Sequence, residues 1–287
     1  YLKEVCCKKK IRYLIMYKEC IRSEGNFEYI FGKFYKNTYS INKNIYKISV
    51  YNKMTYQHLI KNNIFKKNQI EITGMPRAAY LINKNSYKTE KIVTFFLISK
   101  KAGFPLKKTL LPKNLQNFDW NKLNEEILSI LAKLSLKYPN FKFIVKGKSG
   151  AKDEYRGLGK KFKTSKLNFL FGGSGHNLIK SSLIIIAFNS TAIFETILSK
   201  KKIIIPYFKN YRNRKISKFV YNFPLSLCIK NSNQLISGIE KALNSNLKIK
   251  NSQKKNYNKL INHYLGDVNK ARSNMRNFIN VSIMQKV

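Results

Sequence analysis

The chain predicts an α/β fold of the doubly wound kind, and three observations carry that prediction. Short β-rich runs alternate with longer segments of helical periodicity along most of the sequence. Several of the β-rich runs are continuous β-branched stretches, as expected for parallel strands covered on both faces. Small polar or glycine-rich corners follow some of those runs, where ligands sit in open α/β sheets.

The candidate strands, in order, are 11–17, 45–51, 69–73, 91–98, 141–147, 167–171, 183–188 and 202–206. The clearest helix spans 121–137, where Leu123, Ile127, Ile130, Leu131 and Leu134 fall on one stripe. Asp119 can cap its start and Pro139 closes it. A second helix covers 234–243, with Leu235, Ile236, Ile239 and Leu243 on its apolar side. A tail helix over about 267–281 follows a capping Asp267 and presents Val268, Ala271, Met275, Phe278 and Ile279. The stretch 74–90 opens on a Gly-Met-Pro-Arg turn and runs into polar residues, so the boundary between two α/β units is expected there.

Composition narrows the function classes. A 287-residue chain with 44 % apolar residues can bury one large core or two ordinary ones. Its longest apolar runs, such as 183–188, are far shorter than the roughly 20 residues that cross a bilayer. No stretch has the layout of a signal peptide. The chain opens at Tyr1 and reads as mid-domain sequence from the start, which suggests an N-terminally truncated protein. Fifty-six Lys and Arg against 14 Asp and Glu give a formal charge of +42, which attracts polyanions. The excess is mostly Lys and is spread end to end beside abundant Asn and Ile. That pattern fits A/T-rich codons, and no specific nucleic-acid partner is expected. Cys6, Cys7, Cys20 and Cys228 show no zinc-site spacing, and His58, His176 and His263 form no metal motif, so free thiols in a reducing cytoplasm and no metal are expected.

The most informative stretch is "AFNSTAIFETI" at 187–197, a strand end, a small polar corner and a helix start. A helix N-terminus leaves N–H groups without intrahelical partners, which suits a phosphate. Asn189, Ser190 and Thr191 keep this corner small and polar. Glu195, four residues after Thr191, shares its face and could accept hydrogen bonds from ribose hydroxyls. The alternative is a Ser190 that only caps the helix and a Glu195 in solvent. Just upstream, "FGGSGHNLIKSS" at 171–182 brings Gly172, Gly173 and Gly175, which allow close backbone approach, to a helix start carrying His176 and Asn177. His176 could donate to a phosphate or stack near a base. Lys146 and Lys148 end the strand of "FIVKGKSG" at 143–150, and strand alternation would bring both ammoniums to one anion.

Together, "ITGMPRAAY" (72–80), "FIVKGKSG", the stretch 176–208, "HYLGDVNKARSNMRNFI" (263–279) and the upstream stretches 16–30 and 48–64 resemble GT-B-fold glycosyltransferases of bacterial surface and capsular polysaccharide synthesis. That group in turn resembles the CDP-glycerol glycerophosphotransferases and, more distantly, the non-hydrolysing UDP-N-acetylglucosamine 2-epimerases. The resemblance implies a GT-B-like protein with a Rossmann-like C-terminal domain at 76–265 and a partial N-terminal Rossmann-like domain at 1–75. A C-terminal helix at 266–287 would pack back across the domains. It implies a glycosyltransferase or glycerophosphoryl transferase, metal-independent and without a cofactor. The donor would be a nucleotide-activated sugar and the acceptor a glycan or lipid-linked chain. The expected location is the cytoplasm, with peripheral contact to anionic membrane at its inner face. By position, Ser190, Thr191 and Glu195 match the donor-binding Ser/Thr and acid. His176 and Lys146 match donor-phosphate contacts, and Gly173 and Lys148 are counted with the donor site on the reading of the residues above. Arg77 would face the cleft and contact the donor diphosphate, or else form a salt bridge that pins the linker. Glu19 is the acid nominated as catalytic base on the acceptor side. A sugar-nucleotide epimerase remains an alternative that needs acid/base carboxylates in the cleft, and a basic nucleic-acid-binding protein is the other.

Overall fold

The computed structural model describes residues 5–6, 8–16, 44–82, 89–98, 120–151, 155–163, 165–188, 190–206, 208, 223, 225–245 and 251–284. Glu19, Asn189 and Asp119, all singled out in the sequence, lie outside the described residues. The chain divides into two compact units, one made of 1–83 with 255–287 and the other of 84–254. The sequence set these boundaries at 75/76 and 265/266.

The first unit holds β1 (Tyr13–Met16), β2 (Ile45–Val50) and β3 (Ile70–Ile72), paired in parallel in that order. Helix α1 (Lys53–Lys61) follows β2. It begins where the Asn52 side chain accepts the Thr55 N–H at 2.7 Å, a capping signal the apolar pattern does not show. Ile45, Ile48, Val50, Leu59, Ile64, Phe65 and Ile70 make its core. After β3 comes the short helix α2 (Ala78–Ile82).

The unit is closed by the end of the chain. Helices α8 (Asn251–Leu265) and α9 (Ala271–Met284) meet at a corner through Gly266 and Asp267. Asp267 Oδ1 accepts the N–H groups of Asn269 and Lys270 at 3.1 and 3.2 Å, so it caps the turn as expected. The corner presses on the strand ends. Met75 N–H donates to Leu265 C=O at 3.0 Å, and Asn52 Nδ2 donates to Tyr264 C=O at 2.5 Å. Gly74 and Gly266 both adopt left-handed backbone (φ 75° and 71°), and a Cβ on Gly266 would lie 2.0 Å from Tyr51 O and 2.9 Å from Gly74 Cα. Only glycine permits two backbones to cross this closely.

The second unit is built on β4 (Ile92–Phe96), β5 (Lys142–Gly147), β6 (Leu167–Phe171), β7 (Ile184–Ile186), β8 (Lys202–Pro206) and β9 (Ser226–Ile229). All pairings are parallel, and the spatial order is β6-β5-β4-β7-β8-β9. Counted within this sheet the order is 3-2-1-4-5-6, the doubly wound dinucleotide-binding order, which reverses between β4 and β7. Ile184, Ile185 and Ile186 are fully buried, as their unbroken β-branched run requires.

Four longer or buried helices cover the sheet: α3 (Trp120–Lys137), α5 (Gly175–Ser181), α6 (Ala192–Leu198) and α7 (Ser232–Asn244), with a short α4 (Arg156–Lys161) between β5 and β6. Helix α3 packs on α7, and α5 packs on α6. Right-handed crossovers that run leftward from β4 and rightward from β7 place these two pairs on opposite faces. The predicted stripe of α3, from Leu123 to Leu134, is buried throughout. Each such side chain contributes about 1.5–3 kcal/mol relative to exposure.

Candidate functional site at the strand-order reversal

Where the order reverses, the crossovers from β4 and β7 leave toward opposite faces and open a crevice beyond the strand ends. The described residues place several polar groups at this edge of the second unit. Helix α5 enters it after the glycine corner. Gly172 and Gly173 take φ of 117° and 70°, and a Cβ on either would meet nothing within 4 Å. Gly173 is therefore both conformationally required and open on its outer side. Ser174 caps α5 by accepting the Asn177 N–H at 3.3 Å. A Cβ on Gly175 would sit 3.4 Å from the Phe96 ring, so the first turn of α5 lies over the end of β4.

Helix α6 starts beyond β7, and every residue from Ala192 to Leu198 is buried. Glu195 is 6 % exposed, and the solvent-facing alternative for this acid is ruled out. Its Oε2 lies 3.4 Å from His176 Nδ1, and the His176 side chain keeps 29 % of its surface in solvent. A carboxylate and an imidazole from two successive crossovers thus meet beside the reversal point, one covered and one reaching water. Burying a carboxylate is costly unless it is paired or hydrogen-bonded, so this contact is the natural partner for an acid set in an apolar helix.

The α6 corner itself is more self-contained than the sequence suggests. Ser190 Oγ accepts the Ala192 N–H at 3.3 Å, Ser190 C=O accepts that of Ile193, and Thr191 C=O accepts those of Phe194 and Glu195. The first-turn amides are taken locally, so Ser190 does act as a cap, and the half-buried hydroxyls of Ser190 and Thr191 are what the corner offers a ligand. Thr191 makes no side-chain capping bond.

Lys146 and Lys148 are separated by the end of their strand. Lys146 is 8 % exposed, and its Nζ donates to Gly147 C=O at 2.7 Å. Burial lowers its pKa. Strand β5 stops at Gly147, where a Cβ would lie 2.5 Å from the Phe171 ring, so the alternation that would align Lys148 with Lys146 ends before Lys148, which is exposed. Arg77 lies in the first unit, half-buried, one residue before α2.

The sequence reading missed Asn124 and Tyr155. Asn124, fully buried on α3, both accepts from Ile98 N–H at 3.0 Å and donates to Ile98 C=O at 2.9 Å. Tyr155 O–H donates to the same carbonyl at 2.9 Å. These bonds fix Ile98, two residues past the end of β4. A lone Asn within an apolar stripe was the available signal.

No protein-family description matches the chain, and no curated protein matches it. Solved structures do. UDP-GlcNAc 2-epimerase of Methanocaldococcus jannaschii, in complex with UDP-GlcNAc and UDP, is similar at 14 % identity and a TM-score of 0.56 over 97 % of this chain and 72 % of that one. S. aureus MnaA, solved with UDP, is similar at 12 % identity and a TM-score of 0.55 over 97 % of this chain and 79 % of its own. A variant of the wall teichoic acid polymerase TagF is similar at 13 % identity and a TM-score of 0.53 over 89 % of this chain. The chain spans 62 % of that polymerase. At such identities the likeness concerns the fold, and the fold is the α/β, Rossmann-like arrangement of the GT-B-type enzymes.

Proposed function

We propose that this chain is a GT-B-type transferase acting on a nucleotide-activated donor, moving a sugar or glycerophosphoryl unit onto a surface-polysaccharide or lipid-linked acceptor. The observation that carries the reading is the buried Glu195 against His176 beside the strand-order reversal. In this reading Glu195 accepts from the ribose hydroxyls, while His176 and the Ser190 and Thr191 hydroxyls face the donor phosphates. The fold supports it, since similar structures include enzymes solved with UDP or UDP-GlcNAc and a teichoic acid polymerase.

With a sugar donor, the acceptor hydroxyl forms a bond to the anomeric carbon as the bond to the diphosphate oxygen breaks. With a glycerophosphoryl donor, attack falls on the outer phosphorus and a nucleoside monophosphate leaves. Either way negative charge grows on departing phosphate, and positioned donors in a water-poor crevice stabilise it. Glu19 is our candidate to take the acceptor's proton. The excess of Lys would hold the protein near anionic lipid at the cytoplasmic face; among the described residues no helix is long and apolar enough to cross a membrane.

Two of the similar structures are 2-epimerases, so epimerisation is the second reading. Among the described residues, however, Glu195 is the one buried acid, and an epimerase needs carboxylates or their equivalent for proton transfer at the sugar. The test is a thermal-shift screen of UDP, CDP, GDP and their sugars on the native chain and Glu195→Ala. One nucleotide raises the melting temperature of the native chain, and less so that of the variant. A ligand-specific shift untouched by the substitution removes Glu195 from the site. Tight duplex-DNA binding that collapses with salt, with no nucleotide preference, overturns the reading in favour of a nucleic-acid binder. Incubation of the bound sugar nucleotide alone, followed by NMR, separates epimer formation from transfer.

A further inference from the structure

Three lysines are buried among the described residues: Lys146, Lys180 and Lys202. The Lys202 ammonium has an evident structural task, since it donates to the carbonyls of Ala242 and Ser245 at the C-terminal end of α7, where a cation is favoured. Lys146 has no such task. More than nine-tenths buried, it donates to one carbonyl, that of Gly147 beside it, and no carboxylate among the described residues pairs with it. An ammonium carries three donors, and a buried cation without a counter-charge costs stability.

Its place in the sheet says where a counter-charge would come from. Lys146 is register partner to Phe96 of β4, and register partners point to the same face of a sheet. Phe96 turns its ring to Gly175, the residue before His176. Lys146 therefore leaves the sheet on the face of α5 and α6, at the same strand ends as His176 and Glu195, one strand over from the reversal. Lys148, beyond the strand and exposed, shares none of this.

We propose that Lys146 is the residue that makes this site prefer a nucleoside diphosphate to a monophosphate: its ammonium exchanges part of its contact with the Gly147 carbonyl for an oxygen of the second phosphate. The proposal rests on the donor reading above and assigns one side chain to one phosphate. It also predicts a cost in the empty protein, because Lys146→Met keeps length and volume while removing a buried charge that has no carboxylate partner among the described residues.

The experiment is calorimetric titration of UDP, UMP, CDP and CMP into the full chain, into Lys146→Met, Lys146→Arg and Lys148→Met, with melting curves of each unliganded protein. In Lys146→Met the diphosphates weaken by roughly tenfold or more, the size of one charge-assisted hydrogen bond, while the monophosphates weaken by less than about threefold. Lys148→Met leaves the preference in place, Lys146→Arg retains most of it, and unliganded Lys146→Met melts no lower than the native chain. If diphosphate and monophosphate weaken equally, if neither changes, or if Lys146→Met melts well below the native chain, Lys146 is a structural residue and the proposal is wrong. Native chain that binds none of the four nucleotides overturns the donor reading itself, a different outcome from binding with an unchanged preference.

Discussion

Gly266→Ala is the substitution whose cost the structure defines most closely. The new Cβ would start 2.0 Å from the Tyr51 carbonyl oxygen and 2.9 Å from Gly74 Cα, both backbone atoms that cannot rotate away. The corner must open by more than an ångström, and alanine must also hold φ near 71°. Left-handed backbone costs an L-residue about 1–2 kcal/mol. Opening the corner strains two buried hydrogen bonds, Met75 N–H to Leu265 C=O and Asn52 Nδ2 to Tyr264 C=O, each worth about 1 kcal/mol made and more if left buried without a partner. The sum is about 3–6 kcal/mol, a large part of the roughly 5–15 kcal/mol that holds a domain folded. Urea unfolding followed by circular dichroism measures the loss, and hydrogen exchange locates it. Protection should fall across 45–50 and 70–75 and in α8 and α9, while β4 and β7 of the second unit stay protected. A loss below about 1 kcal/mol with protection intact would show that the Gly74–Gly266 crossing does not hold the first unit together.

Other expectations follow from single contacts. Asn124→Ala leaves the Ile98 N–H without its acceptor and lowers stability by about 2–3 kcal/mol in urea unfolding; nucleotide affinity falls with it, and an Asn124→Leu variant as stable as the native chain would refute the clamp. His58 is held neutral by burial and by the nearby Lys61, with its pKa lowered to about 4 from 6.5. Between these values the unfolded chain binds the extra proton, so this contribution is complete above pH 6.5 and is lost as pH falls toward 4, at up to about 1.4 kcal/mol per unit. His58→Gln should flatten the curve of stability against pH in that window, and an unchanged slope counts against it. Burial pushes the Cys228 thiol up to about 12, so iodoacetamide at pH 8 should spare Cys228 in the folded protein and label it in urea, as peptide mapping will show.

The strands were legible because a buried parallel strand needs an unbroken β-branched run, and 184–186 and 203–205 have nothing else. β9 was not, because Ser226 and Cys228 interrupt its apolar pattern and Leu227, although set against Gly238 of α7, stays 39 % exposed at the sheet edge. Helix α1 was missed for a related reason: its start is set by the Asn52 cap rather than by a stripe. Helix α8 is so rich in Lys and Asn that no apolar face stands out. At the site, Glu195 announced itself as a carboxylate in an apolar helix. Its meeting with His176 could not be read, because the two lie on crossovers whose contact depends on how α5 packs on α6. The fates of Lys146 and Lys148 turned on where β5 ends, and Gly147 under the Phe171 ring decides that.

The two units treat the ends of their strands differently, and this asymmetry bears on which of them holds a donor. In the first unit the carboxyl ends of β2 and β3 are filled by the chain's own corner: Tyr264 and Leu265 offer carbonyls to Asn52 and Met75, and Gly266 lies against Tyr51. A ligand of the doubly wound kind would have to displace two buried hydrogen bonds and a backbone crossing to enter there. In the second unit the same edge carries two left-handed glycines with open space beside them, hydroxyls at Ser190 and Thr191 that are half in solvent, and a covered acid beside a histidine that reaches water. Of the buried charges of the second unit, Lys146 and Glu195 lie at this edge, beside the half-exposed hydroxyls. A stability screen of substitutions should reflect this: apolar replacements at Lys146 leave the empty protein as stable or more so, whereas any side chain at Gly266 destabilises it. Equal sensitivity at both positions would mean that the open edge is packed for stability, and the case for a donor site there would fail.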